Sequence, residues 1–261
     1  MHASDDRFYR PRIIQRVDIG PTLWTIRVRV EGDFPFLPGQ YATLGVEGAG
    51  NKRWERPYSI VSAPHETEIE FFLELVPGGE LTPRLHLLQA GDELLLRKVP
   101  KGRFTLDAQG GRTNHLLLST VTGVAPFVSY VRSLSRDWKE GRFHGEHKLF
   151  LLNGASRSAE FGYSAELSSA AAELPWLQYV PTVSRPWEDA EWTGETGRAD
   201  DVLRKYADLW GLNGSNSVAY MCGHPEMIEH SKGILKRIGF GKEFLKEEFY
   251  WWGPAKEPGV S

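Results

Sequence analysis

From Leu23 the chain alternates apolar and polar residues with a period of two: Trp24, Ile26, Val28 and Val30 share one side, Thr25, Arg27 and Arg29 the other. That is the pattern of a half-buried β-strand. Pro35 and Pro38-Gly39 punctuate it, and further strands are predicted over 40–46, 68–76 and 94–99. Pro77-Gly78-Gly79 and Gly91-Asp92-Glu93 supply turns, and a short helix is predicted over 82–89. Short strands between Gly/Pro turns with one short helix predict a small antiparallel β-barrel. It ends near Asp107, because Ala108-Gln109-Gly110-Gly111 reads as a linker.

From His115 the rhythm changes. Leu116-Leu117-Leu118 is continuously apolar, as expected for a strand covered on both faces. Strand, loop and helix then repeat, with strands over 149–153, 177–183 and 217–221 and helices over 127–137, 159–173, 200–210 and 225–237. This alternation predicts a parallel sheet with right-handed crossovers. Ligands of such sheets gather at the carboxyl ends of the strands. Four loops fall there, at 120–126, 154–157, 184–186 and 222–225.

Composition narrows the function classes. Apolar content of 41% and charged content of 25% over 261 residues fit one large or two ordinary globular domains. A net charge of −3 lends no electrostatic support to nucleic-acid binding. The single cysteine, Cys222, excludes a disulfide framework and any cysteine-ligated cluster or zinc site within the chain, and no metal site is expected. The polar, acidic start from Met1 to Asp6 is unlike a signal peptide, and the uncharged run 114–131 is broken by Ser, Thr, Gly and Pro. No membrane span and a cytoplasmic location are the expectations.

Candidate chemistry begins at Arg56-Pro57-Tyr58-Ser59, which groups a fixed cation, a stiffener, an aromatic plate and a hydroxyl. The proline biases Arg56 toward extended geometry at a strand end, with Arg56 and Tyr58 on one face and Pro57 and Ser59 on the other. A cation and an aromatic together suit a ligand with a phosphate and a flat ring, although an ordinary strand start has the same composition. Gly78-Gly79-Glu80-Leu81-Thr82, a glycine turn with a hydroxyl at a helix start, has the makings of a pyrophosphate seat. The small residues of Thr120–Pro126 allow backbone N–H groups to approach a phosphate, or simply make a tight turn. Arg157, Arg185 and Arg198 are either solvated surface residues or, if they converge, a receptor for a phosphate monoester such as the one separating NADP from NAD. Cys222 ends an apolar strand and reads as packing, with no arrangement for thiol catalysis. Arg97 to Arg103 holds four positive charges and no negative one, a solvated loop or a dock for an acidic protein.

The order of these pieces carries more than any one of them. Arg56-Pro57-Tyr58-Ser59, Gly79-Glu80-Leu81-Thr82, Thr122-Gly123-Val124-Ala125-Pro126-Phe127, Val183-Ser184-Arg185, Cys222-Gly223-His224-Pro225-Glu226-Met227 and a terminal Tyr-Trp follow one another. In that order they resemble the bacterial ferredoxin–NADP reductase (flavodoxin reductase) family over nearly the whole chain. The resemblance implies an FAD-binding antiparallel β-barrel over 1–107. It implies a Rossmann-like α/β domain with a parallel sheet, binding NADP(H), over 112–261.

It also implies roles. Arg56 would neutralise the FAD pyrophosphate, Tyr58 would stack on the isoalloxazine and Ser59 would hydrogen-bond near flavin N5, with Pro57 in the same seat. Val76, Gly79, Leu81 and Thr82 would follow the pyrophosphate, and Thr122 would meet the cofactor between the domains. Ser156, Arg157, Ser184, Arg185 and Arg198 would hold NADP, the arginines at its 2′-phosphate. Cys222 and Gly223 would face the nicotinamide, Tyr250 and Trp251 would cover FAD, and Glu248 matches an acidic residue of the wider family. Ser59, Cys222, Glu248 and Tyr250 are thus the residues expected at the reacting atoms.

The implied activity is hydride transfer between NADPH and flavin and single-electron transfer between flavin and ferredoxin or flavodoxin, in transient complexes of a monomer. NAD(P)H-dependent reductases of flavins, quinones or ferric siderophores share the architecture. So do electron-transfer subunits of larger complexes, which commonly bring iron–sulfur cysteines that a single Cys222 does not supply. Two features depart from the family: Val121 stands where its Thr-Gly-Thr-Gly loop has the first glycine, and the chain continues past Trp251 to Ser261.

Overall fold

The structure, a computed structural model, describes residues 6–249. Seven strands build its first half: β1 (Phe8–Tyr9), β2 (Ile13–Asp18), β3 (Leu23–Val28), β4 (Tyr41–Glu47), β5 (Arg53–Ser59), β6 (Ile69–Glu74) and β7 (Leu95–Arg97). They form two antiparallel sheets, β1-β7-β4-β5 and β2-β3-β6. Single bridges, Ile60 to Phe71 and Arg12 to Glu93, join the sheets at both edges and close them into a barrel. The alternation in β3 works as predicted: Trp24, Ile26 and Val28 enter a core shared with Ile13, Leu44, Phe71 and Leu96. Helix α1 (Thr82–Leu87) plugs this core with Leu85.

The second half is a six-stranded parallel sheet in the order β11-β10-β9-β8-β12-β13. Its strands are β8 (Asn114–Thr120), β9 (Lys148–Ala155), β10 (Leu177–Val183), β11 (Glu195–Thr196), β12 (Ser217–Gly223) and β13 (Leu245–Phe249). Helices α2 (Ala125–Lys139), α3 (Ser164–Glu173), α4 (Ala199–Leu209) and α5 (Pro225–Arg237) cover its faces. The strand order reverses between β8 and β12, and that switch point opens a crevice at their carboxyl ends. No helix among the described residues is long and apolar enough to cross a membrane.

Three expectations need correction. Arg56 is not at a strand end: β5 runs through the whole motif, and Arg56 pairs with Leu44 in mid-strand. Proline is tolerated there because β5 is the outer strand of its sheet, where a missing N–H costs no ladder bond. The helix expected over 159–173 is broken into a turn at Ser158–Glu160 and α3. Gly162 lies in the break, where a Cβ would come within 2.8 Å of Phe72 of the barrel, so the chain must bend to pack there. Strands β2 and β13 were not expected. β2 buries chiefly Ile13, and β13 (Leu-Lys-Glu-Glu-Phe) is a charged edge strand with little apolar signal.

The halves meet in one continuous core, with Leu23, Val61, Phe72 and Phe104 packed against Val124, Phe127, Tyr130 and Tyr163. Polar bonds cross the same seam. Ser129 donates to the Ser62 carbonyl at 2.6 Å, Tyr163 donates to Glu70 at 2.9 Å, and Arg132 reaches Glu70 at 2.7 Å. Glu70 is buried, and with Arg27 at 3.1 Å three donors on its carboxylate make that burial tolerable.

Candidate functional site

Two neighbouring regions gather the expected residues. The first runs along β5. Tyr58 is half-buried against the barrel core, Arg56 is exposed, and Ser59 at the strand end is buried. Alternation along the strand puts Trp54, Arg56 and Tyr58 on a common side. The Arg84 guanidinium of α1 lies 3.7 Å from the Trp54 ring centre, which brings the Gly78–Thr82 turn beside β5. Thr82 opens α1, but its hydroxyl accepts the Val76 N–H at 2.9 Å and so fastens the turn to β6 instead of capping the helix. Gly78 sits at φ +76, which favours glycine, and a Cβ on Gly79 would crowd the Val76 carbonyl at 3.1 Å.

Ser59 makes the decisive contact. Its hydroxyl donates to Glu248 Oε1 at 2.6 Å, across 189 positions of sequence. Glu248 lies on β13 opposite Cys222 of β12, so Ser59, Cys222 and Glu248 meet at the seam between the halves. Burial pushes the Glu248 carboxyl above the usual carboxylate range, and the Ser59 hydrogen bond pulls it partly back. Cys222 is fully buried in the shared core. Its carbonyl presses against the 120–126 turn, where a Cβ on Gly123 would come within 2.2 Å of it. Tyr250 and Trp251 lie outside the described residues.

The second region is a cleft of about 750 Å³ at the switch point. Thr122, Ser156, Ser184, Arg185, Arg198 and Gly223 line it, from the carboxyl ends of five strands. Gly223 has φ +129, and a Cβ there would overlap Thr120 Oγ1 at 2.2 Å. That hydroxyl accepts the His224 N–H at 2.9 Å and ties the end of β8 to the start of α5. Arg185 lies 3.7 Å from Glu188 and Arg198 3.3 Å from Asp200, so both guanidiniums are held near the cleft by carboxylates. Arg157 is not brought in with them. It turns to Glu160 at 3.1 Å and to Glu188, one carboxylate removed from Arg185.

Among the cleft residues given no role from the sequence are Glu74, Trp187, Asp200 and His224. Glu74 ends β6, where burial and then Glu160 push its carboxyl up to about 7. A polar residue at a strand end carries no signal of that. His224 was legible in principle, since His-Pro ahead of an apolar run marks a helix start, and its Nδ1 accepts the Glu226 N–H.

These regions fit the groups that the sequence suggested. A flavin dinucleotide asks for a cation, an aromatic plate, a buried hydrogen-bonding group at the ring edge and a glycine turn. Arg56, Tyr58, Ser59 with Glu248, and Gly78-Gly79 supply that set in one place. A phosphorylated nucleotide asks for a cleft with paired arginine forks, which Arg185 and Arg198 supply.

A barrel fused to a parallel sheet, with a buried polar seam and an arginine-rimmed cleft, defines a two-module nucleotide-binding oxidoreductase. Residues 12–106 match the oxidoreductase FAD-binding domain and residues 117–233 the oxidoreductase NAD-binding domain. The chain is 32% identical over 227 residues to ferredoxin–NADP reductase A of Sorangium cellulosum, covering 84% of this chain and 79% of that one. It is 29% identical over 240 residues to the ferredoxin–NADP reductase of Pseudomonas aeruginosa, covering 88% and 90%. The chain belongs to the ferredoxin–NADP reductase family. Its fold is shared with a ferredoxin NADP+ reductase from Neisseria gonorrhoeae with bound FAD and NADP, at a TM-score of 0.81, 22% identity and coverage of 94% and 99%.

Proposed function

We propose that this chain is an FAD-dependent ferredoxin–NADP reductase, moving electrons between NADPH and a small one-electron carrier, ferredoxin or flavodoxin. The observation that carries the reading is the meeting of Ser59 and Glu248 at 2.6 Å beside Cys222, at the seam between two nucleotide-binding modules. When bound, FAD supplies the step between two-electron nicotinamide chemistry and one-electron carriers.

The chain's own residues position and exclude. Arg56 neutralises the dinucleotide pyrophosphate along the Val76–Thr82 turn, Pro57 holds β5 extended, and Tyr58 offers the ring a flat, half-buried wall. Ser59 sets a hydroxyl at the ring edge, oriented by Glu248. Burial of Ser59 and Cys222 keeps water from the reacting atoms. Thr122 and Gly223 shape the floor where nicotinamide enters. Ser156, Ser184, Arg185 and Arg198 hold the phosphorylated adenosine end, and Arg157 supports them through Glu188. The carrier docks transiently on a monomer. Exposed Lys101 and Arg103 around exposed Val99 fit an acidic protein.

Purified protein carrying FAD, reduced by NADPH under anaerobic stopped flow and then mixed with ferredoxin or flavodoxin, tests the reading. Reoxidation by at least one carrier within the turnover time is expected. A preparation that neither contains FAD nor can be reconstituted with it overturns the proposal.

A further inference from the structure

Trp187 is 75% exposed, yet it lines the arginine-rimmed cleft. An indole that exposed gives up most of the burial that ordinarily stabilises it. Among the described residues no aromatic ring stacks on it. The neighbouring Trp192, by contrast, pairs with Phe161 at 5.8 Å and donates its indole N–H to the Glu195 carbonyl. The backbone beneath Trp187 is fixed. Pro186 opens a three-residue turn, Pro186–Glu188, and the Glu188 N–H closes it onto the Arg185 carbonyl at 2.9 Å. The Glu188 side chain is bound closely by Arg157 and lies 3.7 Å from Arg185. The turn therefore presents an apolar plate at a set place beside Arg185.

The covalent structure of a 2′-phosphoadenosine gives that plate a use. Phosphate and base hang from adjacent ribose carbons, so arginines that grip the phosphate leave the base only a few ångström away. Arg185 and Arg198 rim the same cleft as Trp187. We propose that Trp187 is the adenine plate of this cleft, stacking on the base whose 2′-phosphate Arg185 and Arg198 hold. The inference rests on the NADP reading above and deepens it. Stacking on an aromatic is tolerant of base identity and depends on the flat face.

The test is calorimetric titration of the FAD-loaded protein with adenosine 2′,5′-bisphosphate and with 5′-AMP, neither of which can be turned over. Trp187→Ala weakens the bisphosphate by roughly 5- to 150-fold, the span of base–aromatic stacking measured by alanine substitution. Trp187→Phe keeps a plate and loses no more than about threefold. Tryptophan emission of the wild type falls during the titration, and that fall is absent from Trp187→Phe. Equal affinity of wild type and Trp187→Ala for both probes overturns the stacking role and leaves the NADP reading standing. A wild type that binds 5′-AMP as tightly as the bisphosphate overturns the 2′-phosphate reading alone, and Trp187→Ala on 5′-AMP then decides the plate.

Discussion

Val121 offers a test of how the cleft floor is built. It has φ +43, the only positive φ on a non-glycine among the described residues, and it is β-branched. The surroundings dictate that geometry. Gly123 must pass within touching distance of the Cys222 carbonyl, and Thr120 is tied to His224, so the turn between β8 and α2 has no slack. A left-handed backbone costs a non-glycine residue about 1–2 kcal/mol. Val121→Ala keeps that cost and removes part of a side chain packed on the shared core, a loss of about 1 kcal/mol. Val121→Gly removes slightly more apolar surface and adds about 0.5–1 kcal/mol of chain entropy, but it releases the backbone cost. Glycine should therefore be more stable than alanine here by about 0.5–1 kcal/mol, the reverse of the usual order. Denaturant unfolding of the FAD-loaded variants, followed by far-UV circular dichroism at fixed FAD, measures the difference. An alanine variant as stable as the glycine variant, or more so, refutes the argument that this loop is strained.

Arg185→Ala should raise the apparent constant for NADPH tenfold or more and leave that for NADH within about twofold, because one charge-assisted phosphate contact is worth roughly 1.5–3 kcal/mol. Equal effects on both nucleotides would remove Arg185 from the 2′-phosphate. Glu74, pushed up to about 7 by burial and Glu160, binds its proton more tightly folded than unfolded. Its contribution to stability is therefore greatest in acid and is lost as pH rises through about 7. Glu74→Gln should gain on the order of 2–3 kcal/mol over wild type at pH 8 and far less at pH 5, and an equal gain at both sinks the assignment. Ser59→Ala strips Glu248 of its donor, which should cost about 1–3 kcal/mol and slow flavin reduction by NADPH at unchanged FAD content; unchanged stability and reduction rate would count against the pair.

What was legible in the sequence followed from local periodicity. The alternation of β3 and the apolar run of β8 announce a barrel and a parallel sheet, and loops at strand ends announce a ligand cleft. What was not legible depends on partners distant in the chain. β13 is charged and short, and becomes a strand because β12 offers an open parallel edge. Arg56 reads as a strand end because Pro57 follows it, but β5 is the outer strand of its sheet and carries the proline without losing a ladder bond.

The same dependence explains why the arginines divided as they did. Arg157, Arg185 and Arg198 look equivalent as strand-end cations, and nothing in their spacing ranks them. Glu188 decides: it engages Arg157 closely and Arg185 only at 3.7 Å, so on the proposed reading the tighter pair is committed and the looser one would exchange its carboxylate for a phosphate. Arg198 stands likewise, 3.8 Å from exposed Glu226 and 3.3 Å from buried Asp200. A carboxylate that holds a guanidinium in place but loosely keeps the fork near its ligand position at little cost on exchange. The other oxygen of the Asp200 carboxylate, Oδ2, is anchored by His230 Nδ1 at 2.9 Å. Removing that anchor with His230→Ala should loosen Arg198 and weaken NADP+ several-fold by calorimetry while leaving NAD+ unchanged. An identical loss for both nucleotides would mean that Asp200 supports the cleft as a whole and not the phosphate fork.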